Sequence, residues 1–269
     1  MKIRMGAKIS SNSNNEPRSN TDTRPFEQFS VTLMLFLMLP IRSFTVLIAA
    51  CAFSVGKADP GERERPAVTQ IGEHLYRLGD IKIDAKKREI SFPVVVNMRE
   101  GGPIEYLLVH EHGKVHESIL TTSISPLNLQ IALKLLKFDP GYGDVFNLLL
   151  TPELLEKEGG TKEERGDSME FSFLPEGKGQ PVHLPDLIMD GFTQSAMKGE
   201  PWIYTGSRIE NGVFMAESEG SIIAIYLDHL ALFNMTIDGA DTDERWGANP
   251  ELIPEIGTAG TLSISAAEF

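Results

Sequence analysis

Short apolar runs separated by turn residues make up most of the chain beyond residue 70. The segments HLYRLGDIKID (74–84) and EISFPVVVNM (89–98) alternate in polarity and are rich in β-branched residues, which indicates β-strands. The same pattern recurs in WIYTGSRI (202–209), and DVFNLLLTPEL (144–154) also favours a strand. Because no βαβ alternation is visible, we expect the strands to pair mainly antiparallel.

One helix is predicted among these strands, over residues 126–138. Ser125 is a natural N-cap, and Pro126 suits the first helical position, where its missing N–H costs no hydrogen bond. Apolar residues then follow at helical spacing: Leu129, Ala132, Leu133 and Leu136. The DPG turn at 139–141 ends the pattern. The predicted fold class is therefore α+β, a mainly antiparallel β-sheet or sandwich-like domain with one well-defined helix.

The first 58 residues have the composition of a targeting segment. Residues 1–37 are expected to be a disordered leader, since their first thirty are rich in Ser, Asn, Thr and charge. Residues 38–58 have the features of a secretory signal peptide: a short basic start, a twelve-residue apolar core from Phe44 to Val55, and small residues before a cleavage after Ala58. This reading makes Met38 an alternative start of translation.

Two alternatives to a cleaved signal stay open. The sequence IAAC at 48–51 resembles a bacterial lipobox, in which Cys51 would carry the lipid. An uncleaved anchor over 38–58 is the other, because about 20 apolar residues span a bilayer. All three place the folded part outside the cytoplasm, in the periplasm or extracellular space. A charged linker is expected at 59–66 and a single β-rich domain at 67–269.

The charge and the cysteine content of the chain limit the partners and cofactors that it can bind. Residues 59–269 hold 18 Lys/Arg and 35 Asp/Glu, a formal charge of −17, which repels phosphate backbones and disfavours nucleic acid as a partner. Cys51 is the single cysteine, so neither an intrachain disulfide nor a cysteine-ligated zinc site or iron–sulfur cluster can form. We expect no cofactor, and contact with a membrane only through the N-terminal segment.

The segment EYLLVHEHGKVHESIL (105–120) concentrates three histidines and three glutamates. Two strands joined in a β-hairpin at Gly113 are predicted. A two-residue turn would put His110 and His116 on opposite faces. A three-residue turn would put them diagonally on one face. Both registers stay open, and neither collects three metal ligands.

The sequence allows two interpretations of the inner part of this hairpin. His116 and Glu117 precede the apolar Ile119, so burial in a structural hydrogen-bond network is the first interpretation. The second is an acid–base site, in which His116 acts with Glu117 or Glu105 and Ser118 lies nearby. His112 at the tip is expected to face solvent.

Other side chains suggest binding chemistry less directly. Trp202 and Tyr204 alternate along a predicted strand and are candidates for stacking on a sugar, with Ser207 just beyond them; a place in the core is the ordinary alternative. Three acidic residues in DGADTDER are weak calcium candidates, since their spacing differs from that of an EF-hand loop. They are Asp238, Asp241 and Asp243.

Three blocks of the sequence resemble the YdjY-like domain family of bacterial exported proteins. The blocks are 87–136, 201–235 and 253–264, and the similarity extends over roughly residues 70–266. The matching motifs are Glu105-Tyr106, then Lys114, His116, Glu117 and Ser118, and later Trp202, Tyr204, Thr205, Gly206 and Ser207. The resemblance implies one exported domain whose activity is not established. Some relatives are described as ferredoxin-like, a role that this chain, lacking the cysteines, does not share.

The sequence favours a non-enzymatic binding or accessory module of the bacterial cell envelope. No complete catalytic constellation is visible in this acidic, β-rich chain, and its partner would be an envelope protein or ligand of unknown identity. The alternatives are a hydrolase-type enzyme that uses His116 and Glu117 as an acid–base pair, and a divalent-cation-binding protein.

Overall fold

The computed structural model describes residues 66–141, 144–150, 152–161, 165–199 and 202–267. The predicted leader, the signal segment and Cys51 lie outside the described residues. The described residues belong to one unit of mutual contacts. None of their helices has the length and apolar character needed to span a bilayer.

The described secondary structure consists mostly of short strands. In chain order the strands are β1 (Thr69–Gly72), β2 (Leu75–Leu78), β3 (Ile81–Asp84), β4 (Glu89–Val96), β5 (Tyr106–His110), β6 (Ser118–Thr122), β7 (Ser168–Pro175), β8 (Val182–His183), β9 (Ile188–Asp190), β10 (Ser195–Ala196), β11 (Trp202–Tyr204), β12 (Ile209–Glu210), β13 (Val213–Phe214), β14 (Ser221–Ala224), β15 (Phe233–Met235), β16 (Trp246–Ala248) and β17 (Ala259–Ala266). The helices are α1 (Pro126–Leu135), α2 (Pro152–Lys157) and α3 (Met215–Glu219).

Eight of these strands close into a barrel. Their order is β4-β17-β7-β11-β15-β14-β5-β6, and a pairing of β6 with β4 completes the circle. Most pairs are antiparallel; β14 with β15 and β5 with β6 are parallel. The predicted α+β class with a mainly antiparallel sheet is confirmed, but the sheet closes on itself where a sandwich-like arrangement was expected.

The alternation read from the sequence explains which face of each barrel strand lies inside. In β4, for example, Ile90, Phe92 and Val94 are buried, while Ser91 and Pro93 between them point outward. The same period of two holds in β7 and β17. Closure lets the inward residues of all eight strands share one core.

Strands β1 to β3 form an antiparallel meander that continues the sheet beyond β4. Helix α1 packs against β3 and begins where it was predicted, with the Ser125 hydroxyl accepting a hydrogen bond from the Asn128 amide. The Glu217 carboxylate of α3 adds a second cap, since it accepts hydrogen bonds from Ser125 Oγ and the Leu127 amide. The helix ends at Leu135, three residues before the predicted end.

The predicted hairpin at Gly113 is wrong, because β5 and β6 lie side by side in parallel, with Tyr106 opposite Ser118. Parallel neighbours usually need a crossover of a dozen or more residues. Here residues 111–117 suffice, because they run directly back along β5 and end in the 3-10 turn Val115–Glu117.

Gly113 is needed in this connection because two backbones approach closely. A Cβ atom at Gly113 would lie 3.0 Å from the carbonyl oxygen of Glu219 and 3.2 Å from the Cα atom of Gly220. Gly220 itself has φ +73° and ends α3 in the left-handed conformation. The connection is thus held against the end of a helix that is about a hundred residues away in sequence.

The strand predicted at 144–154 is also wrong. This stretch contains a 3-10 helix, Val145–Leu149, and the start of α2. The run of leucines is compatible with either strand or helix over so few residues, and Pro152 suits the first turn of a helix.

Candidate functional site

The structure brings three of the four sequence-predicted acid–base residues together at the start of β5. His116 Nε2 lies 3.0 Å from Glu117 Oε1, and the Glu117 carboxylate lies close enough to Glu105 for its negative charge to raise the pKa of Glu105. Glu105 is placed there by the sheet, because its amide donates to the Glu117 carbonyl and its carbonyl accepts from Ile225. Two carboxyl groups and an imidazole therefore meet beside the 111–117 connection.

The electrostatics of this cluster raise the pKa of one of its carboxyl groups, that of Glu105. Burial raises the pKa of Glu105, the neighbouring negative charge of Glu117 raises it further, and the positive charge of Lys114 partly offsets both. Asp243 adds a smaller repulsion. The folded protein therefore holds the Glu105 proton more tightly than an exposed glutamate would.

A second polar network adjoins the first through Lys114. Its Nζ donates to the hydroxyl oxygen of Tyr106 at 2.8 Å, and that hydroxyl donates to Asp228 Oδ2 at 2.9 Å. Burial and the adjacent Asp228 charge raise the pKa of Tyr106, so the phenol stays protonated. Asp228 is tied in turn to the buried Asn234, which accepts from the Asp228 amide at 2.7 Å. This network holds the connection on the sheet.

The burial predicted for His116 is wrong: 74% of its side chain is exposed. The error follows from the hairpin, since a residue of the returning connection need not point toward the sheet. Ser118 is fully buried and its hydroxyl donates to the Leu120 carbonyl at 2.8 Å. Ser118 is therefore not placed as a nucleophile for His116.

The other two histidines of the segment form their own pair. The rings of His110 and His112 have centroids 4.0 Å apart, and His112 Nε2 lies 3.2 Å from the Glu217 carbonyl oxygen. Burial and the neighbouring His112 lower the pKa of His110. Neither predicted register applies, because the pair lies at the end of β5 and His116 lies in the 3-10 turn that precedes β6.

No group of three His, Cys, Asp or Glu side chains among the described residues is arranged to hold a metal ion. Asp238 is paired with Arg245 Nη1 at 3.0 Å, and Asp241 and Asp243 are exposed. Arg245 also donates to the buried Asp190, which joins β9 to β16. The predicted calcium candidates thus include the outer partner of a structural ion pair.

The aromatic candidates lie in the barrel core. Trp202 and Tyr204 are fully buried, and the Trp202 indole N–H donates to the Ala224 carbonyl. Ser207 donates to the Leu230 carbonyl and accepts from the Ala216 amide. All three have their polar groups engaged within the fold, so a stacking role on a sugar is not available to them in this conformation.

Sequence reasoning missed an apolar surface at one end of the barrel, here called the apolar rim. It consists of Val95, Leu174, Leu252 and Ile256, whose exposed fractions run from 40% to 65%. Val95 and Leu174 lie on the outer face of β4 and β7, on either side of β17. The sequence gives little indication of this surface, because a single outward-facing apolar residue in a strand is common. The four residues are far apart in the sequence and come together only in the fold.

Two clefts open within this rim and meet at Pro175 and Lys178. One, of about 400 Å³, lies between the turn after β7 and the segment that contains Leu252. The other, of about 320 Å³, lies along Leu174 and Thr261 on the outer face of β7 and β17. Clefts with an apolar lining and a few polar groups are the usual form of a ligand-binding surface.

Comparison of the chain with protein-family models, with curated proteins and with solved structures returns no match.

Proposed function

We propose that this chain is an exported binding module of the bacterial cell envelope, without catalytic activity of its own, and that the apolar rim with its two clefts is the binding surface. The observation that carries the proposal is that two of the exposed apolar side chains of the rim line the clefts, Leu252 the first and Leu174 the second. Exposed apolar patches rimmed by polar groups mark interaction sites. The resemblance to the YdjY-like family of exported proteins agrees with the proposed location in the periplasm or outside the cell.

The chemistry of the rim supports binding over catalysis. The side chains lining the clefts offer apolar contact, one ammonium group from Lys178 and the carboxylates of Glu176 and Glu251. They include no histidine or cysteine. The cluster of Glu105, Glu117 and His116 belongs to a different part of the sheet, at the start of β5. Binding at the rim and acid–base chemistry at the cluster would therefore be separate properties of the domain.

The test is cosedimentation of the purified full-length protein with isolated peptidoglycan sacculi. We compare wild type with Leu174→Glu, which places a charge in the rim, and with Leu135→Glu as the matched control. Leu135 is 53% exposed on α1, away from the rim. We expect Leu174→Glu to lower the bound fraction at least tenfold and Leu135→Glu to leave it unchanged. No wild-type sedimentation, or equal binding by all three proteins, overturns the proposal.

A hydrolytic function is the second candidate, favoured by the position of His116 beside Glu117 and by the raised pKa of the neighbouring Glu105. An imidazole next to carboxyl groups can supply a general acid and a general base. The assay is turnover of ester, phosphate and glycoside substrates by wild type, His116→Ala and Glu105→Gln. Turnover lost in both variants would replace the binding proposal, whereas absence of turnover removes this candidate.

A further inference from the structure

The strand registers place seven polar residues in one line across the outer face of the sheet. This cross-strand row is Thr69, Arg77, Lys82, Ser91, Ser263, Ser172 and His183. Each residue lies directly opposite the next on the neighbouring strand, and directly opposed residues share a face. With strands about 4.8 Å apart, the six steps from β1 to β8 span about 29 Å.

The three central hydroxyl groups of the row are free to bind a ligand. Ser91, Ser263 and Ser172 are half-buried on the outer face, and within the part of the chain that the structure describes their hydroxyls make no hydrogen bond. A serine hydroxyl can both donate and accept. The line therefore offers three adjacent donor–acceptor groups that the fold itself does not use.

The cationic end of the row costs stability and implies an anionic partner. Arg77 and Lys82 lie directly opposite each other on β2 and β3, both exposed. Like charges in this position are destabilising. None of the described carboxylates lies within ion-pair distance of either side chain. An arginine beside a lysine is suited to bind a carboxylate or phosphate group.

The rows on either side limit the kind of ligand. Toward the clefts, Thr261 lies in register between the apolar residues Pro93 and Leu174, here called the apolar row. On the opposite side Glu89 and Glu170 occupy the outer face two residues away from Ser91 and Ser172. A ligand with one charge at every unit would be repelled by these carboxylates, so its anionic groups must be widely spaced.

A sugar chain fits this face better than a peptide or a nucleic acid. Beneath the central part of the row, the backbone N–H and C=O groups of β2, β3, β4, β17 and β7 are already used in the sheet, so an extended peptide lying across these strands would find no edge there on which to add a strand. No Trp, Tyr or Phe stands in the row to stack a base, and the net charge of the domain is strongly negative. Sugar hydroxyls pair naturally with serine hydroxyls, and the apolar row can contact sugar ring faces.

We propose that the cross-strand row binds an acidic glycan that lies across the strands, with hydroxyls on the serines and a carboxylate held between Arg77 and Lys82. The proposal rests on the proposed binding function and names its ligand class. The glycan runs beside the apolar rim, so that Leu174 and the cleft at Thr261 form one border of the same site.

The test uses hyaluronate oligosaccharides as the probe, with neutral dextran and poly-glutamate as comparisons, and measures the Kd for the purified full-length protein by titration calorimetry. The variants are Lys82→Glu and Ser263→Val, with Lys134→Glu on α1 as the matched control. We expect hyaluronate to bind, Lys82→Glu to weaken it at least tenfold, Ser263→Val to weaken it several-fold, and Lys134→Glu to change nothing. Dextran and poly-glutamate should bind at least tenfold more weakly.

The outcomes separate this proposal from the function on which it rests. Equal affinity for poly-glutamate would mean that charge alone is recognised, and equal affinity for dextran would mean that Arg77 and Lys82 take no part. Either result overturns the glycan assignment. So does absence of hyaluronate binding, or binding unchanged in both variants. If sacculi still sediment the protein in a Leu174-dependent manner, the binding function stands without the row. If Leu174→Glu has no effect on sedimentation, the function itself fails.

Discussion

Lys114 Nζ donates a hydrogen bond of 2.8 Å to the hydroxyl oxygen of Tyr106, eight residues earlier in the chain. The ammonium group also lies 4.9 Å from the centroid of the same ring. These contacts place the connection after β5 directly over the strand it has left. A hairpin would have carried Lys114 away from Tyr106, so this one pair marks the difference between the predicted antiparallel turn and the observed parallel return.

Replacing Gly113 by alanine should destabilise the domain. The new Cβ atom would stand 3.0 Å from the Glu219 carbonyl oxygen, and backbone atoms cannot move aside as a flexible side chain can. Overpacking of this kind costs about 1–3 kcal/mol. Urea unfolding measures it, with Gly179→Ala as the control, because a Cβ at Gly179 meets nothing within 4 Å. Equal midpoints for the two variants would contradict the observed packing of Gly113 on Gly220.

His116→Leu should leave the free energy of unfolding within about 0.5 kcal/mol of wild type, because the side chain is largely exposed. His112→Leu should cost at least as much, since it removes the hydrogen bond to the Glu217 carbonyl, worth about 0.5–1.5 kcal/mol. This order reverses the one that a buried His116 would give. Thermal unfolding of both variants tests this order. A larger drop in melting temperature for His116→Leu than for His112→Leu would support a buried hydrogen-bond network around His116.

Glu105→Gln should raise stability at neutral pH. The pKa of Glu105 is raised in the folded state by burial and by the charge of Glu117, so the folded chain holds this proton more tightly than the unfolded chain. The resulting stabilisation is fully present below the ordinary glutamate pKa of 4.5 and is lost as pH rises through the folded value. Glutamine imitates the protonated carboxyl group at every pH.

The measurement for Glu105 is urea unfolding of wild type and Glu105→Gln from pH 4 to pH 8. The advantage of the variant should grow as pH rises and vanish at the acid end. Glu111→Gln serves as the control, since Glu111 is an exposed glutamate of the same connection. A variant that is less stable than wild type at pH 7 would show that the Glu105 carboxylate is needed by the fold in its charged form.

Arg245→Met should be strongly destabilising. Arg245 donates to Asp190 at 2.9 Å and 3.1 Å, and only 8% of the Asp190 side chain is exposed. Removing one partner of a buried ion pair costs about 3–5 kcal/mol, because the remaining charge is left without compensation. Asp238→Asn is the control: its carboxylate bonds the same arginine but is fully exposed, and little change is expected. Similar melting temperatures for both variants would contradict a structural role for the inner pair.

The sequence pattern was enough to predict the local structure wherever that structure is decided by neighbouring residues. The helix begins at the predicted Ser125–Pro126 junction because capping is a matter of three or four consecutive residues. The polarity of β4 and β17 was readable because strand side chains alternate with a period of two. The serines of the cross-strand row are also visible in the sequence, because each stands between two apolar residues. The three triplets are Ile-Ser-Phe (90–92), Phe-Ser-Phe (171–173) and Leu-Ser-Ile (262–264).

The sequence did not predict which strand pairs with which. Apolar and polar residues alternate along a strand in the same way in a sandwich and in a barrel. Likewise, a glycine between two strands is compatible with an antiparallel hairpin and with a short connection between parallel strands. The choice came from contacts between distant residues: Lys114 with Tyr106 and Asp228, and Gly113 with Gly220. The cluster of Glu105 with Glu117, the apolar rim and the cross-strand row exist only because strand pairing brings remote positions to one face, and sequence spacing carries no record of that pairing.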